Sequence, residues 1–204
     1  MSCNAAFMDD ASNGYEAIAD EYLAHRGDTK AGSNGIGVAT VRAWTRRVHP
    51  GGAVLDLGCG PGDPITRVLF DAGVTIYAVD ASPRMVSEFR ARFPGVAVEC
   101  KSVEMSGFFG REFDAVIAWG LLFLLTPEAQ ALVIEKVARA LVRGGRFLFT
   151  APAQACEWPD AMTGKRSESL GAERYRRLLE SVGLVMEDEA DDEGANHYYM
   201  AFKP

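Results

Sequence analysis

The residues best suited to chemistry form a glycine-rich stretch, VLDLGCGPG, over positions 54–62. Gly58, Gly60 and Gly62 stand at every second position there, directly after a short apolar run. Because glycine has no Cβ and adopts positive φ readily, a ligand can approach the main chain of such a loop closely. Ligands of open α/β sheets bind at the carboxyl ends of the strands. We therefore predict a small-molecule site where this apolar strand ends.

Two aspartates narrow the chemistry of this site. Asp80 ends the next apolar run, where a carboxylate can accept hydrogen bonds from both hydroxyls of a ribose. Asp63 is expected to cap the helix after the loop, where its charge would repel a pyrophosphate. A cationic nucleoside without phosphates, such as S-adenosylmethionine, satisfies both conditions. The spacing G-x-G-x-G also differs from the G-x-G-x-x-G of dinucleotide-binding loops, which disfavours a nucleotide-dependent oxidoreductase.

The elements that position these residues alternate between short apolar runs and longer segments of helical period. This alternation is typical of a parallel sheet covered by helices on both faces. The predicted strands are 53–57, 74–80, 96–100, 113–118, 146–150, 184–187 and 196–202. The last connection is too short for a crossover helix, so the last two strands are expected to pair antiparallel. We predict an α/β fold: a Rossmann-like, seven-stranded, mostly parallel sheet with helices on both faces and an antiparallel C-terminal hairpin.

Helix starts are indicated where a capping residue precedes a proline. The three pairs are Asp63-Pro64, Ser82-Pro83 and Thr126-Pro127. The helix after Thr126 carries an apolar stripe that runs to Leu141, and Gly144 and Gly145 are expected to stop it. A further helix is expected over 172–181.

Composition argues against several classes of protein. The 204 residues are 48% hydrophobic and 24% charged, which is ordinary for a globular domain, and the net charge of −7 disfavours nucleic acid and anionic membranes as partners. The four cysteines lack metal-ligand spacing, so no metal site is expected. The amino-terminal residues do not resemble a signal peptide, and no apolar run is long enough to span a membrane. These features predict a cytoplasmic protein, with monomer and homodimer both open.

With its glycine-rich loop, Asp80, the pair Phe113-Asp114 and the sequence RGGRF over 143–147, the chain resembles class I S-adenosylmethionine-dependent methyltransferases of the small-molecule branch. The likeness runs from about Tyr15 to the end. It implies S-adenosyl-L-methionine as methyl donor, S-adenosyl-L-homocysteine as product, and a small-molecule acceptor with an oxygen, nitrogen or sulfur nucleophile. It also implies a single domain in which residues 1–50 form a helical cap over a core of residues 51–204.

The resemblance further implies which residues hold the cofactor: the loop for its methionine part, Asp80 for the ribose, and residues after the second and third strands for the adenine. These residues are Tyr15, Tyr22, Asp56, Gly58, Cys59, Gly60, Pro61, Gly62, Asp80, Ala81, Met85, Ser102, Val103, Glu104, Ala118 and Trp119. Many relatives carry an aspartate near Ser102. Tyr15 and Tyr22 share one face of a helix expected over 14–27, where they either contact the ligands or are half-buried aromatic residues.

The insertion over 151–169 lies where this superfamily builds its acceptor pocket, and Glu157 and Trp158 are acceptor-side candidates there. His25, His197 and Glu157 are the candidates for acid–base catalysis. Tyr198 and Tyr199 point to opposite faces of a strand, so one of them can face a pocket.

Two observations bear on the substrate and on turnover. Gly120 and Leu124 replace polar residues that are frequent in relatives, which leaves open a non-catalytic module that binds S-adenosylmethionine or S-adenosylhomocysteine. The chain also lacks the Asn/Asp-Pro-Pro-aromatic motif of enzymes that methylate the amines of nucleic-acid bases. We expect a small-molecule methyltransferase that contacts no nucleic acid and no membrane.

Overall fold

The structure is a computed structural model that describes residues 10–26 and 35–204, without the side chains of His25 and Arg26. The helices are α1 (Ala19–Arg26), α2 (Val38–Thr45), α3 (Ile65–Asp71), α4 (Pro83–Arg92), α5 (Pro127–Ala140) and α6 (Ala172–Ser181). The strands are β1 (Ala53–Leu57), β2 (Thr75–Asp80), β3 (Ala97–Cys100), β4 (Phe113–Ala118), β5 (Leu141–Thr150), β6 (Ala155–Pro159), β7 (Arg166–Leu170), β8 (Val185–Asp191) and β9 (His197–Phe202).

Seven strands form one sheet in the order β3-β2-β1-β4-β5-β9-β8. The pairs among β1 to β5 are parallel, whereas β9 pairs antiparallel with both β5 and β8. This arrangement confirms the predicted Rossmann-like sheet with its antiparallel carboxyl-terminal hairpin.

The core lies on both faces of the sheet because successive residues of a strand point to opposite faces. On β1, Val54 belongs to the cluster that contains Val41 of α2 and Val68 of α3. Leu55, its neighbour, belongs to the cluster that contains Val133 of α5. All five residues of β1 are buried, as expected for a strand covered on both sides. This packing fixes the strand ends that carry the glycine-rich loop.

Two of the three predicted helix caps are present. The Ser82 hydroxyl accepts a hydrogen bond from the amide of Met85 at 3.1 Å, and the Thr126 hydroxyl accepts one from Ala129 at 3.3 Å. Both helices have proline in the first turn.

The predicted cap at Asp63 is wrong. Pro64 precedes the first residue of α3, and no side chain accepts a hydrogen bond from the start of that helix. The Asp63 carboxylate pairs instead with Arg92 at 3.0 Å and with Arg67 at 3.5 Å. Two guanidinium groups neutralise it, so the sequence argument that its charge repels a pyrophosphate at the helix start does not hold.

Three predicted boundaries differ from the structure. The helix expected over 14–27 begins only at Ala19, because Asn13 and Gly14 have positive φ and residues 11–18 form successive turns. Helix α5 ends before Leu141, whose backbone is extended and pairs with Phe113. The strand predicted over 184–187 is β8, which begins at Val185 and continues to Asp191.

The insertion over 151–169, expected only as a loop, contains a two-stranded antiparallel hairpin of β6 and β7. β6 is largely exposed, and β7 is partly buried but polar at four of its five residues, so neither strand has the apolar pattern that predicts a strand. The ring of Trp158 packs against that of Phe123 with 5.5 Å between centroids. This contact holds the hairpin beside the residues that follow β4.

Candidate functional site

A cleft of about 370 Å³ lies at the carboxyl ends of β1 to β4. Its volume falls in the range of small-molecule sites. The predicted cofactor-binding residues that line it are Tyr15, Tyr22, Asp56, Gly58, Cys59, Gly60, Pro61, Asp80, Ala81, Met85, Ser102, Val103, Glu104 and Trp119. The sheet topology therefore brings together all of the predicted cofactor-binding residues except Gly62 and Ala118.

Asp80 connects the two loops at one end of the cleft. Its Oδ2 accepts a hydrogen bond from the amide of Gly60, and its Oδ1 accepts one from the amide of Ser82, each at 2.8 Å. Burial raises the pKa of Asp80, although the two amide donors act in the opposite direction. A carboxylate oxygen has two lone pairs, so each oxygen keeps capacity for a ligand hydroxyl.

Gly60 and Gly62 of the loop have different surroundings. Gly60 has φ of 53°, and a Cβ there would meet no atom within 4 Å, so its backbone borders open space in the cleft. Gly62 has φ of 93° and does not line the cleft. A Cβ at Gly62 would overlap the ring of Phe93. Gly60 is thus exposed to a ligand, and Gly62 allows close packing against α4 and the residue after it.

Asp56 is buried beneath the loop at the end of β1. Its Oδ2 accepts a hydrogen bond from the Thr66 hydroxyl at 2.6 Å. Burial raises the pKa of Asp56 to about 7, the Thr66 hydrogen bond opposes this, and the charge of Asp80 adds to it. Asp56 is therefore balanced between its neutral and charged forms near neutral pH, and a cation beside it would favour the carboxylate.

The loop after β3 forms the other side of this end of the cleft. Lys136 on α5 donates from Nζ to the carbonyl oxygens of Val103, Glu104 and Ser106 at 2.6, 2.7 and 2.8 Å. Burial lowers the pKa of Lys136. The Glu104 Oε2 is buried and has no hydrogen-bond partner within the part of the chain that the structure describes. Lys136 thus fixes a loop whose carboxylate has unused acceptor capacity.

Trp119, just past β4, is held by a hydrogen-bond chain. Its Nε1 donates to Tyr198 Oη at 2.8 Å, and Tyr198 donates to Asp192 Oδ2 at 2.7 Å. Burial raises the pKa of Tyr198. The sequence left open which of two adjacent tyrosines faces the site: Tyr198 contacts the cleft residue Trp119, whereas Tyr199 stacks on Phe149 in the opposite core cluster.

The amino-terminal turns cross the cleft from one wall to the other. Glu16 accepts hydrogen bonds from the Ser82 hydroxyl and from the Arg84 amide at the start of α4. Tyr15 donates towards Asp160, which follows β6, with 3.3 Å between Oη and Oδ2. The Tyr15 and Tyr22 rings meet edge to face at 5.6 Å. These contacts attach the amino-terminal segment to both sides of the cleft.

Several predicted residues lie away from the cleft wall. Ala118 is buried in the sheet, and Glu157 is exposed on the hairpin, where it pairs with Arg166 at 2.7 Å. His197 lies between β8 carboxylates, with Nδ1 at 2.8 Å from Asp191 Oδ1. The side chain of His25 lies outside the described residues. The acid–base roles of His25, His197 and Glu157 therefore stay predictions, since the structure places neither His197 nor Glu157 on the cleft wall.

Sequence reasoning did not name the remaining lining residues as site residues, although it discussed Asp63, Gly120 and Leu124. The further lining residues are Ala11, Ser12, Asn13, Asp63, Ile65, Gly120, Leu121, Phe123, Leu124, Leu125, Asp160, Met162 and Asn196. A signal existed for Asp160, because Pro-Asp followed closely by Gly is typical of a turn. Nothing local joins that turn to Tyr15, which is 145 positions earlier.

No group of His, Cys, Asp and Glu side chains within residues 10–26 and 35–204 is arranged to hold a metal ion. Over the same ranges, no helix combines the length and the apolar character needed to cross a bilayer.

Comparison with known proteins agrees with this geometry. A family model described as a methyltransferase domain matches residues 54–145, which include the loop and Asp80. An uncharacterized methyltransferase from Synechocystis sp. is 32% identical over 115 residues, which cover 55% of this chain and 54% of that protein. The chain thus spans about half the length of this curated relative.

Two solved structures share the fold over nearly the whole chain. Magnesium protoporphyrin IX methyltransferase from Synechocystis, with bound S-adenosylmethionine, aligns with a TM-score of 0.68 and 20% identity over 98% of this chain and 100% of its own. The 1,6-didemethyltoxoflavin-N1-methyltransferase from Burkholderia thailandensis, with S-adenosylhomocysteine, aligns with a TM-score of 0.73 and 17% identity over 95% and 88%. The family match over residues 54–145, the sheet topology and the glycine-rich loop with Asp80 together support a place in the class I S-adenosylmethionine-dependent methyltransferase superfamily.

Proposed function

We propose that this protein is an S-adenosylmethionine-dependent methyltransferase that acts on a small-molecule acceptor. The observation that carries the proposal is the bridge from Asp80 to the Gly60 amide, which sets a carboxylate and an open main-chain segment on the same cleft. The names of the two structural neighbours support this class, since both are methyltransferases named for a small-molecule substrate.

The residues present fit the cofactor. The spare lone pairs of Asp80 suit the ribose hydroxyls, and the unpartnered Glu104 Oε2 suits an amine donor such as that of adenine. Asp56, with its pKa of about 7, suits the α-ammonium group, because a cation stabilises the charged form of a buried carboxylate. Glu104 would thus take the part for which many relatives carry an aspartate near Ser102.

When bound there, S-adenosylmethionine supplies a methyl group that its sulfonium has already activated for displacement. The protein orients the reactants and excludes water, which can lower the activation free energy by several kcal/mol. Trp119, fixed through Tyr198, forms a rigid wall beside the loop. We propose that the segment containing Tyr15 and Glu16 acts as a cap that holds both ligands in the closed cleft.

A second candidate function is a binding module that holds the cofactor or its product without turnover. It is favoured by the wall just past β4, where Gly120 and Leu124 line the cleft at positions that are often polar in relatives. The acceptor therefore contacts a mostly apolar surface there. The two functions share the cofactor site and differ only in whether a methyl group is transferred.

Calorimetric titration with S-adenosylmethionine and S-adenosylhomocysteine tests the shared site. We expect both to bind with micromolar affinity and NADH to show no heat at the same concentrations. Transfer of labelled methyl groups to any member of a small-molecule panel then favours the enzyme over the binding module. Binding of NADH, or no binding of either sulfur nucleoside, would overturn the proposal.

A further inference from the structure

Asp160 is a charged side chain of the cleft wall that does not belong to the strand ends or loops assigned to the cofactor. It follows β6 on the hairpin inserted after β5, whereas Asp56 and Asp80 close β1 and β2. Only 9% of its surface is exposed, and it lines the cleft. Its position and burial make it a candidate for contact with the methyl acceptor rather than the cofactor.

The two carboxylate oxygens of Asp160 have different surroundings. Oδ1 accepts hydrogen bonds from the amides of Met162 and Thr163 at 3.0 and 2.8 Å and from the Thr163 hydroxyl at 3.1 Å. Among the described residues, Oδ2 has a single partner, the Tyr15 hydroxyl at 3.3 Å, which also lies 3.4 Å from Oδ1; both distances are long for a hydroxyl donating to a carboxylate. The turn therefore fixes the side chain through Oδ1 and leaves Oδ2 with unfilled acceptor capacity.

Burying a carboxylate costs free energy unless a cation or several hydrogen-bond donors stabilise its charge. In the described part of the chain, Asp160 forms no ion pair with Lys, Arg or His. The charged side chains that this part contributes to the cleft wall are all carboxylates: Asp56, Asp63, Asp80, Glu104 and Asp160. Arg67 and Arg92 compensate Asp63, and the carboxylates that remain on the wall attract cations and repel anions, so an amino group is the complementary partner for Oδ2.

The remaining neighbours suit an amine with an apolar body. Phe123 and Trp119 line the same cleft and offer aromatic faces, which attract cations as well as apolar groups. Asn13 has a buried Nδ2 without a hydrogen-bond partner among the described residues and a left-handed backbone, with φ of 52°. Its amide is a donor for a carbonyl or hydroxyl oxygen of the same molecule.

We infer that Asp160 binds an amino group of the methyl acceptor, which makes the substrate class small amines with an apolar or aromatic body. This inference rests on the proposed function, and it concerns recognition of the amino group without assigning which atom is methylated. Carboxylates and phosphates of the same skeleton are excluded by the charge of the wall.

The test uses the full-length protein and matched ligands. Labelled methyl transfer is measured over a panel in which each amine, such as 2-phenylethylamine or tyramine, is accompanied by the carboxylate and the alcohol of the same skeleton. We expect turnover only among the amines. For a reactive amine, Asp160→Asn should raise KM at least tenfold and change the Kd of S-adenosylmethionine less than twofold.

Asparagine retains an oxygen that can accept from the amides of Met162 and Thr163, so this variant should fold, which thermal unfolding checks. Asp188→Asn is the matched control, because Asp188 is exposed on β8, does not line the cleft and should leave KM unchanged. Turnover of a carboxylate, an unchanged KM in Asp160→Asn, or an equal loss of cofactor affinity overturns the inference. If the cofactor binds and every amine fails, the inference is wrong and the proposed function stands. If the cofactor does not bind, the proposed function itself is wrong.

Discussion

Oδ2 of Asp80 lies 2.8 Å from the amide nitrogen of Gly60 and joins the end of β2 to the loop after β1. The other oxygen of the same carboxylate accepts from Ser82, the residue that caps α4. One side chain therefore fixes both backbone segments at the end of the cleft that we propose for the nucleoside. Its contribution to binding comes from preorganisation of these loops as well as from direct contact.

Replacing Asp80 with Asn should weaken S-adenosylmethionine at least tenfold. The amide keeps one oxygen and gains a donor, so one of the two backbone N–H groups loses its partner, and a hydrogen bond to a charged group contributes about 1.5–3 kcal/mol. Tenfold in Kd corresponds to about 1.4 kcal/mol, which calorimetry resolves.

Asp114→Asn provides a matched control for this experiment. Asp114 also accepts from a backbone amide, that of Ala53, at 2.8 Å, but it stands near the start of β4, away from the cleft. We expect it to leave affinity unchanged. Equal affinities of wild type and Asp80→Asn would contradict the assignment of Asp80 to the nucleoside.

Substitutions at Gly60 and Gly62 should affect cofactor binding and thermal stability differently. Both have positive φ, which costs a residue with a Cβ about 1–2 kcal/mol. Gly60→Val directs its side chain into open space in the cleft, so we expect loss of S-adenosylmethionine binding with a modest fall in Tm. Gly62→Ala adds overlap with the Phe93 ring, so we expect the larger fall in Tm.

Thermal unfolding and calorimetry on the same two preparations check this pair. A Gly60→Val variant that binds normally would mean that no ligand approaches the loop at that position. A Gly62→Ala variant as stable as wild type would mean that α4 and Phe93 move away at little cost.

The parts of the fold that sequence reasoning predicted are those with local signals. Apolar runs such as β1 and side-chain caps such as Ser82 are determined within a few residues. Local signals are misleading at Asp63. Its sequence position predicts a helix cap, but its carboxylate pairs with Arg92, 29 positions away. Which of several partners a charged side chain contacts depends on tertiary packing, which a single sequence does not reveal.

The part of the cleft that we propose for the cofactor was predictable for the same reason, and the part that we propose for the acceptor was not. Asp56, the glycine loop and Asp80 come from two adjacent strand ends with a recognisable spacing. Asp160 and Asn13 enter the cleft through a polar hairpin and an irregular turn, neither of which has strong periodicity. That both line the same cleft depends on contacts between residues far apart in the sequence, such as that between Tyr15 and Asp160.

Asp56 should make the protein less stable as pH rises. Its pKa is about 7 in the folded state and near its ordinary value of 3.8 when unfolded, so the native state holds a proton that the unfolded state lacks between these values. The free energy of unfolding therefore falls as pH increases through that window, by roughly 4 kcal/mol at most, and levels off above it.

Urea unfolding at pH 5, 6, 7 and 8 measures this effect as the difference between wild type and Asp56→Asn. Taking the difference removes the contribution of other titrating groups. We expect the variant to gain stability relative to wild type as pH rises. A difference that does not change with pH would show that Asp56 is already charged in the native protein at pH 5.

Lys136 should act on cofactor affinity without touching the cofactor. Its ammonium donates to three carbonyl oxygens of the loop that carries Val103 and Glu104, and methionine fills similar space without any donor. Lys136→Met should therefore loosen the loop and raise the Kd of S-adenosylmethionine about fivefold or more, with kcat nearly unchanged at saturation.

Arg139→Met on the same helix is the control for that variant. Arg139 is exposed and its ion pair is with Glu135, one turn earlier on α5, so its loss should change neither affinity nor Tm by much. Because Lys136 lies behind the loop and not on the cleft wall, a change in Kd can arise only through the loop's position. If Lys136→Met binds as tightly as Arg139→Met, the other contacts of the loop hold it in place, among them the hydrogen bond of 2.7 Å between the Ser106 hydroxyl and Glu99 of β3.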